Sequence, residues 1–548
     1  MSGECVPVEH PTIRTGHPAP AGPVPKLGWA DAGLATASAI LSLALYVRTL
    51  APGLLYGDSG EFQTLVYSLG MTHPTGYPVY VLLGRLFTLP LLGDPAWRVN
   101  LFSAILGAWT VACLYLIVRL LTGRRLAAVA AALTLAITPL FWYFSVIAEL
   151  YVPACAFLGS VILCLLLWRQ SGKWPWLAAS ALLGGLSLGV HSSVALAAPG
   201  VLVYLALTAR ARRDWLVAFG GALLGVILAL AAFFVLDARN PGAGYYHATV
   251  EPALSVWNMT AADFDSPFER LRFLYAARQF HYAMFPDPAR TMPEIFGAYV
   301  DVLKAGLAPG SLAWIGLGLV ALAVRCWREG LLLFLGWGVQ LFFITNYAIS
   351  DVVVFFVPTF VFLAMWLGSG LGMLLDILAG GLKRLRRQRW TIPAAALLGA
   401  VVLGLTVRAM GGMVARAWAA RAPVFMYGTG FEEYPYPLAD PDAALNRAQA
   451  IVDAVEENAV VFLGWDLLFP CYYVAWQEGR PGIDFHETYP QDDVPEIGQS
   501  AADYIAASLS ARPVYFLTRP QGNSMCRFDI RIVRRGGVSL YQVVGERP

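Results

Sequence analysis

Two acids stand three residues apart in Tyr56-Gly57-Asp58-Ser59-Gly60-Glu61-Phe62, and a histidine follows in Met71-Thr72-His73-Pro74-Thr75-Gly76-Tyr77-Pro78, shortly after an apolar stretch. Carboxylates at this spacing share a helix face if a helix begins here. One reading is a capping box, in which Asp58 accepts from the Glu61 amide while Glu61 reaches back to start a surface helix. The other makes one carboxylate a general base, because a hydroxyl nucleophile must lose its proton as it attacks. Asp58 and Glu61 are thus the catalytic candidates, and the two readings are compatible.

Other ionisable groups recur at the ends of apolar stretches. His191 lies in Gly189-Val190-His191-Ser192-Ser193, Glu149 in Val146-Ile147-Ala148-Glu149-Leu150-Tyr151 and Asp351 in Tyr347-Ala348-Ile349-Ser350-Asp351. An ionisable group at membrane depth defaults to a functional hypothesis, although His191 would equally serve to hold a neighbouring helix. With His73 and Tyr77 they form the candidate substrate-binding set. Residues 237–310 add Arg239, Arg270, Arg272, Arg278 and His281, and cations near the interface suit a phosphate leaving group. Arg239 and Arg278 are the arginines assigned to it, the alternative for each being a solvated or headgroup-facing charge. The centres of the apolar stretches are nearly free of charge, unlike secondary transporters, whose ionisable residues sit near the bilayer midplane.

The elements that must position these groups follow from composition. Of 548 residues, 58% are hydrophobic and only 14% charged, with a formal net charge of +2. That is a polytopic α-helical membrane protein, with no surface for nucleic acid. Windows of about 20 apolar residues cross the hydrocarbon. About eleven are found, at 29–50, 99–121, 126–145, 150–168, 174–191, 193–209, 215–236, 311–326, 331–349, 353–376 and 391–410. Basic clusters occupy every second connection: Arg124 and Arg125, Arg169 and Lys173, Arg210 to Arg213, Arg325 and Arg328, and Lys383 to Arg389. The positive-inside rule makes these cytoplasmic. It places a first outer loop at 51–98, a long structureless outer loop at 237–310 and the chain after 411 on the outer face of a plasma (inner) membrane.

The organisation expected is a disordered cytoplasmic tail at 1–28, a transmembrane region at 29–410 and an extracytoplasmic α/β domain at 411–548. In the last, Ala443 to Glu457 has helical spacing, Ala459 to Leu463 and Pro513 to Leu517 read as buried strands, and Arg534-Arg535-Gly536-Gly537 reads as a hairpin turn. Cys471 and Cys526 either pair as a disulfide or remain thiols. No cysteine or histidine spacing calls for a metal, and the acids Asp466, Asp492, Asp493 and Glu496 read as a solvated face.

The GDSGEF segment with His73 to Pro78, Val146 to Tyr151, Asn346 to Pro358, Asn458 to Phe462 and Arg512 to Phe516 together resemble a family of membrane proteins formerly of unknown function that includes the eukaryotic transmembrane protein O-mannosyltransferase. The resemblance implies a C-type glycosyltransferase bundle. Such an enzyme takes a sugar, here mannose if the family's activity carries over, from a polyprenyl-phosphate donor in the membrane to a hydroxyl of a protein or glycan acceptor. It needs no cofactor beyond that lipid-linked donor. A first-loop acid would be the base, Asp58 with Glu61 as orienting partner or as the alternative base. A transporter or flippase of lipid-linked sugar and a non-catalytic membrane scaffold are the competing readings.

Overall fold

The computed structural model describes residues 26–89, 93–239, 241–308, 310–384, 411–419, 440–491 and 494–547, with single positions at 393, 397, 404 and 421. Residues 1–25 of the expected tail, most of the span at 391–410 and most of the Lys383 to Arg389 cluster lie outside these residues.

Helices come in chain order as α1 (Trp29–Arg48), α2 (Gly57–Ser68), α3 (Pro78–Thr88), α4 (Pro95–Thr122), α5 (Arg125–Ile137), α6 (Pro139–Phe144), α7 (Tyr151–Ser171), α8 (Trp174–Leu186), α9 (Ala198–Thr208), α10 (Arg212–Arg239), α11 (Pro267–Tyr275), α12 (Pro288–Gly306), α13 (Ser311–Arg325), α14 (Trp327–Ile344) and α15 (Val357–Arg384). Among the described residues six helices are long and apolar enough to cross a membrane, seven if the bent pair α12 and α13 is one span. The chain is therefore multi-pass, but about eleven full-length spans are not what these residues form. The window at 126–145 breaks at Thr138-Pro139 into α5 and α6. The windows at 174–191 and 193–209 become α8 and α9 joined through 3₁₀ turns around His191. A helix of 13 residues is about 20 Å long, short of the hydrocarbon thickness. Apolar composition marked these segments as lipid-depth without revealing where the backbone breaks.

The first outer loop is likewise not a loop. It holds α2 and α3, and α2 is buried without a break from Ser59 to Val66. Gln63 pins it to α4: its Nε2 donates to Asn100 Oδ1 at 2.8 Å, and its Oε1 accepts from the Leu55 amide at 2.9 Å. The capping box is absent, because the N-cap is Tyr56, with no side-chain cap, and Asp58 lies inside the first turn. Nor is 237–310 structureless. It folds into a π turn at Tyr246–Val250, a 3₁₀ segment at Glu251–Trp257, α11, a 3₁₀ turn at Arg278–Ala283 and the 19-residue α12; all but α12 are too short to show hydrophobic periodicity.

The C-terminal part is α/β, with helices α16 (Ala443–Asp453), α17 (Trp465–Gln477) and α18 (Gln499–Ser508) and strands β1 (Val460–Leu463), β2 (Asp484–Glu487), β3 (Val514–Phe516), β4 (Phe528–Arg535) and β5 (Val538–Glu546). The sheet order is β2-β1-β3-β5-β4, with β1 parallel to both neighbours and β5 antiparallel to β3 and β4. Gly536 and Gly537, at φ 53° and 81°, make the β4–β5 turn, a conformation that demands glycine and matches strand twist. Cys471 and Cys526 are both free thiols, one buried in α17 and one exposed.

This α/β part sits on the first outer segment. Thr64 Oγ1 donates to the Phe469 carbonyl at 3.0 Å, and Tyr473 donates its hydroxyl to Asp94 at 2.9 Å. At Gly60 an added Cβ would lie 2.5 Å from the Leu55 carbonyl and 3.0 Å from the Pro470 ring. The Leu55 carbonyl excludes any Cβ at this position and the Pro470 ring of α17 packs tightly over it, which explains the second glycine of GDSGEF.

Candidate active site

A cavity of about 570 Å³ opens where α2, the His73–Tyr77 turn, the links around Glu149, His191 and Asp351, the 277–284 segment and the α/β part meet. Its volume suits a small ligand.

Asp58 lies on the wall and Glu61 does not. One helical turn deeper, Glu61 is 0% exposed. It accepts from the His73 backbone amide at 2.7 Å and contacts His73 Nδ1 at 2.5 Å. The His73 side chain is 12% exposed and reaches the wall, with Nε2 3.3 Å from the Tyr77 hydroxyl. Burial pulls the His73 imidazole down, but the Glu61 carboxylate, with Asp58 and Asp351 beyond it, outweighs that and holds it at about 9. At neutral pH His73 is an imidazolium. Burial pushes the Glu61 carboxyl above its ordinary range, opposed by that same imidazolium. The two acids thus part company: Asp58 faces the cavity, and Glu61 holds a cation in it.

The remaining candidates divide cleanly. Tyr77, Glu149, His191 and Asp351 all line the cavity. His191 stacks on Tyr77 at 5.7 Å and 13°, and its Nδ1 lies 2.6 Å from Ser193 Oγ. Burial, with Asp58 and Asp351 nearby, raises the Glu149 carboxyl well above the usual carboxylate range. Arg239 and Arg278 do not line it. Arg239 is exposed at the end of α10, and Arg278 Nη2 donates to the Trp257 carbonyl at 2.8 Å. Among the described residues no lysine or arginine lines this cavity, and the basic side chains on its wall are His73 and His191.

Sequence reasoning missed the far wall. Trp465, Asp466 and Glu487 line it, and Trp465 Nε1 donates to Asp58 Oδ1 at 2.6 Å. Asp466 is exposed, as a solvated face requires, yet borders the cavity, where desolvation and the Asp58 carboxylate push its carboxyl upward. Asp466 follows the end of β1 and Glu487 ends β2, its parallel neighbour, so both lie at the carboxyl ends of their strands, the side on which ligands bind in open α/β sheets. No spacing in the sequence announced this wall. Among the described residues no three His, Cys, Asp or Glu side chains gather as a metal site.

The cavity also has a fixed relation to the helices. Tyr151 at the start of α7 lines it, and Arg169 lies near the other end, about 27 Å away along the axis. Phe343 of α14 lines it, with Arg328 at the opposite end.

Residues 58–214 match the family model described as the Protein O-mannosyl-transferase TMEM260 N-terminal domain. The mouse (Mus musculus) Protein O-mannosyl-transferase TMEM260 is 32% identical over 148 residues, 27% of this chain and 21% of that one. Its Dictyostelium discoideum counterpart is 26% identical over 110 residues, 20% of this chain and 13% of that one. The match thus spans about a fifth or less of these relatives' length. The crystal structure of ArnT from Cupriavidus metallidurans bound to undecaprenyl phosphate superposes with a TM-score of 0.53 at 13% identity, over 94% of this chain and 98% of that one. The bundle with its small C-terminal sheet has the C-type glycosyltransferase fold.

Proposed function

We propose that the chain is a membrane glycosyltransferase that moves a sugar from a polyprenyl-phosphate donor to an acceptor hydroxyl, with Asp58 as general base. The observation that carries this reading is the presence in one cavity of a wall carboxylate, Asp58, and of His73, whose Nδ1 lies 2.5 Å from the buried Glu61 carboxylate. The acceptor oxygen attacks C1 of the sugar while its proton passes to Asp58. The C1–O bond to phosphate breaks, and the electron pair leaves with the lipid phosphate, whose growing charge meets the His73 imidazolium. A single displacement inverts the anomeric centre. Carboxylates accept from sugar hydroxyls and aromatic faces pack on sugar C–H groups, and the walls carry Glu149, Asp351 and Asp466 beside Tyr143 and Tyr151. The lipid bound to ArnT supports a lipid-phosphate donor here. The names of the mouse and Dictyostelium relatives support mannose and a protein hydroxyl acceptor. Asp466 and Glu487, at the carboxyl ends of β1 and β2 and on the cavity wall, support a role for the α/β part in receiving that acceptor.

The test is transfer by purified protein from a panel of radiolabelled polyprenyl-phosphate sugars, run with and without EDTA because the step above uses no divalent cation. One donor, mannosyl first, should be turned over in both conditions. Donor binding without transfer to any hydroxyl acceptor would favour a flippase instead.

We further place the cavity and residues 411–548 on the outer face of the plasma membrane, since Arg169 and Arg328 occupy the opposite helix ends. Cys526 is an exposed thiol, so labelling belongs in a Cys526→Ser background. Gln499→Cys and Ser171→Cys, both at exposed positions, separate the sides. A membrane-impermeant maleimide should reach Gln499→Cys in intact cells and Ser171→Cys only after permeabilisation. The reverse pattern would invert the topology.

A further inference from the structure

Trp465 is the first residue of α17 and comes from the α/β part, yet its indole N–H ends on Asp58 Oδ1 at 2.6 Å. The ring is fixed on three sides. It stands edge-on to His73 at 5.7 Å and 80°, to Phe469 at 5.2 Å and 82°, and to Tyr245 at 6.3 Å and 78°. An indole so confined has one direction in which to donate. Its bond commits Oδ1 of a short, otherwise rotatable carboxylate, which leaves proton transfer to Oδ2.

We propose that Trp465 is a positioning residue for the base: the α/β part completes the active site by fixing the Asp58 carboxylate through the indole N–H. This rests on the reading of Asp58 as general base. A hydrogen bond from a neutral donor to a carboxylate is charge-assisted and directional, and misplacing a reacting group by about 1 Å can cost 10²-fold in rate. The indole N–H is also separable from the docking of α17. Thr64 on the Phe469 carbonyl, Tyr473 on Asp94 and the close approach at Gly60 hold the helix without it.

The experiment uses the full chain with Trp465→Phe, which removes the donor and keeps an aromatic ring, alone and combined with Asp58→Asn. In the Asp58-containing protein, kcat should fall by about 10- to 100-fold with the donor KM within about twofold. In the Asp58→Asn background the same substitution should change the residual rate by less than about twofold, because no base remains to be positioned. Unchanged kcat in Trp465→Phe overturns the inference. So does an equal loss in both backgrounds, which would mark the indole as packing only. If Asp58→Asn alone keeps its turnover, the functional reading itself fails, a result distinct from either.

Discussion

Asp58→Asn should fold, insert and bind donor, and turn over about 10²- to 10⁴-fold more slowly, the range typical for loss of a general base. The substitution keeps shape and an acceptor oxygen and removes the negative charge and the ability to take a proton. Asp58 is not the N-cap of α2, since that position is Tyr56, so no cap is lost. Its contact with Trp465 requires only an acceptor oxygen at Oδ1, which the amide retains. The measurement is turnover with the active donor, alongside thermal unfolding in detergent. Near-normal turnover would remove Asp58 from the chemistry, and if Glu61→Gln were then the inactive variant, the base would be Glu61 despite its burial.

The second large effect concerns the Glu61–His73 pair and carries a pH signature. Because the folded pKa of His73, about 9, lies above the ordinary histidine value near 6.5, the imidazolium stabilises the fold fully below about 6.5. That contribution is lost as pH rises through about 9. Donor affinity should follow the same course, level through neutrality and falling through about 9 as the cation facing the phosphate is neutralised. Glu61→Gln preserves an acceptor for the His73 amide but removes the carboxylate that opposes burial, so the fall should move to lower pH. At pH 7.5 the variant should bind donor about 10- to 100-fold more weakly, the equivalent of one charge-assisted hydrogen bond of about 1.5–3 kcal/mol. Titration of donor binding between pH 6 and pH 10 decides it. An identical pH course in both proteins would show that Glu61 does not govern His73.

The near wall of this site was legible in the sequence because its groups are local. Asp58, Glu61, His73 and Tyr77 fall within about 20 residues, and polar side chains beside an apolar stretch are conspicuous. Glu149, His191 and Asp351 were legible for the same reason, each marking the end of an apolar window. The far wall was not, since no spacing rule connects Trp465 with Asp58 or Glu487 with either. The arginines misled because charge type was visible while side-chain direction was not: Arg278 spends its donor on a carbonyl of its own segment. The short strands Val460–Leu463 and Val514–Phe516 were readable as apolar runs, whereas β2, spelled Asp484-Phe485-His486-Glu487, carries three polar residues in four and gave no strand signal.

The bond between Asp58 and Trp465 joins positions 407 residues apart in the chain. During synthesis at about 5–20 residues per second, the first-loop carboxylate emerges some 20–80 s before the indole that meets it. Throughout that interval the nascent polypeptide carries Asp58 without its indole partner and the near wall of the cavity without the far one. The ribosome thus sets a delay between insertion of the first helices and completion of the cavity.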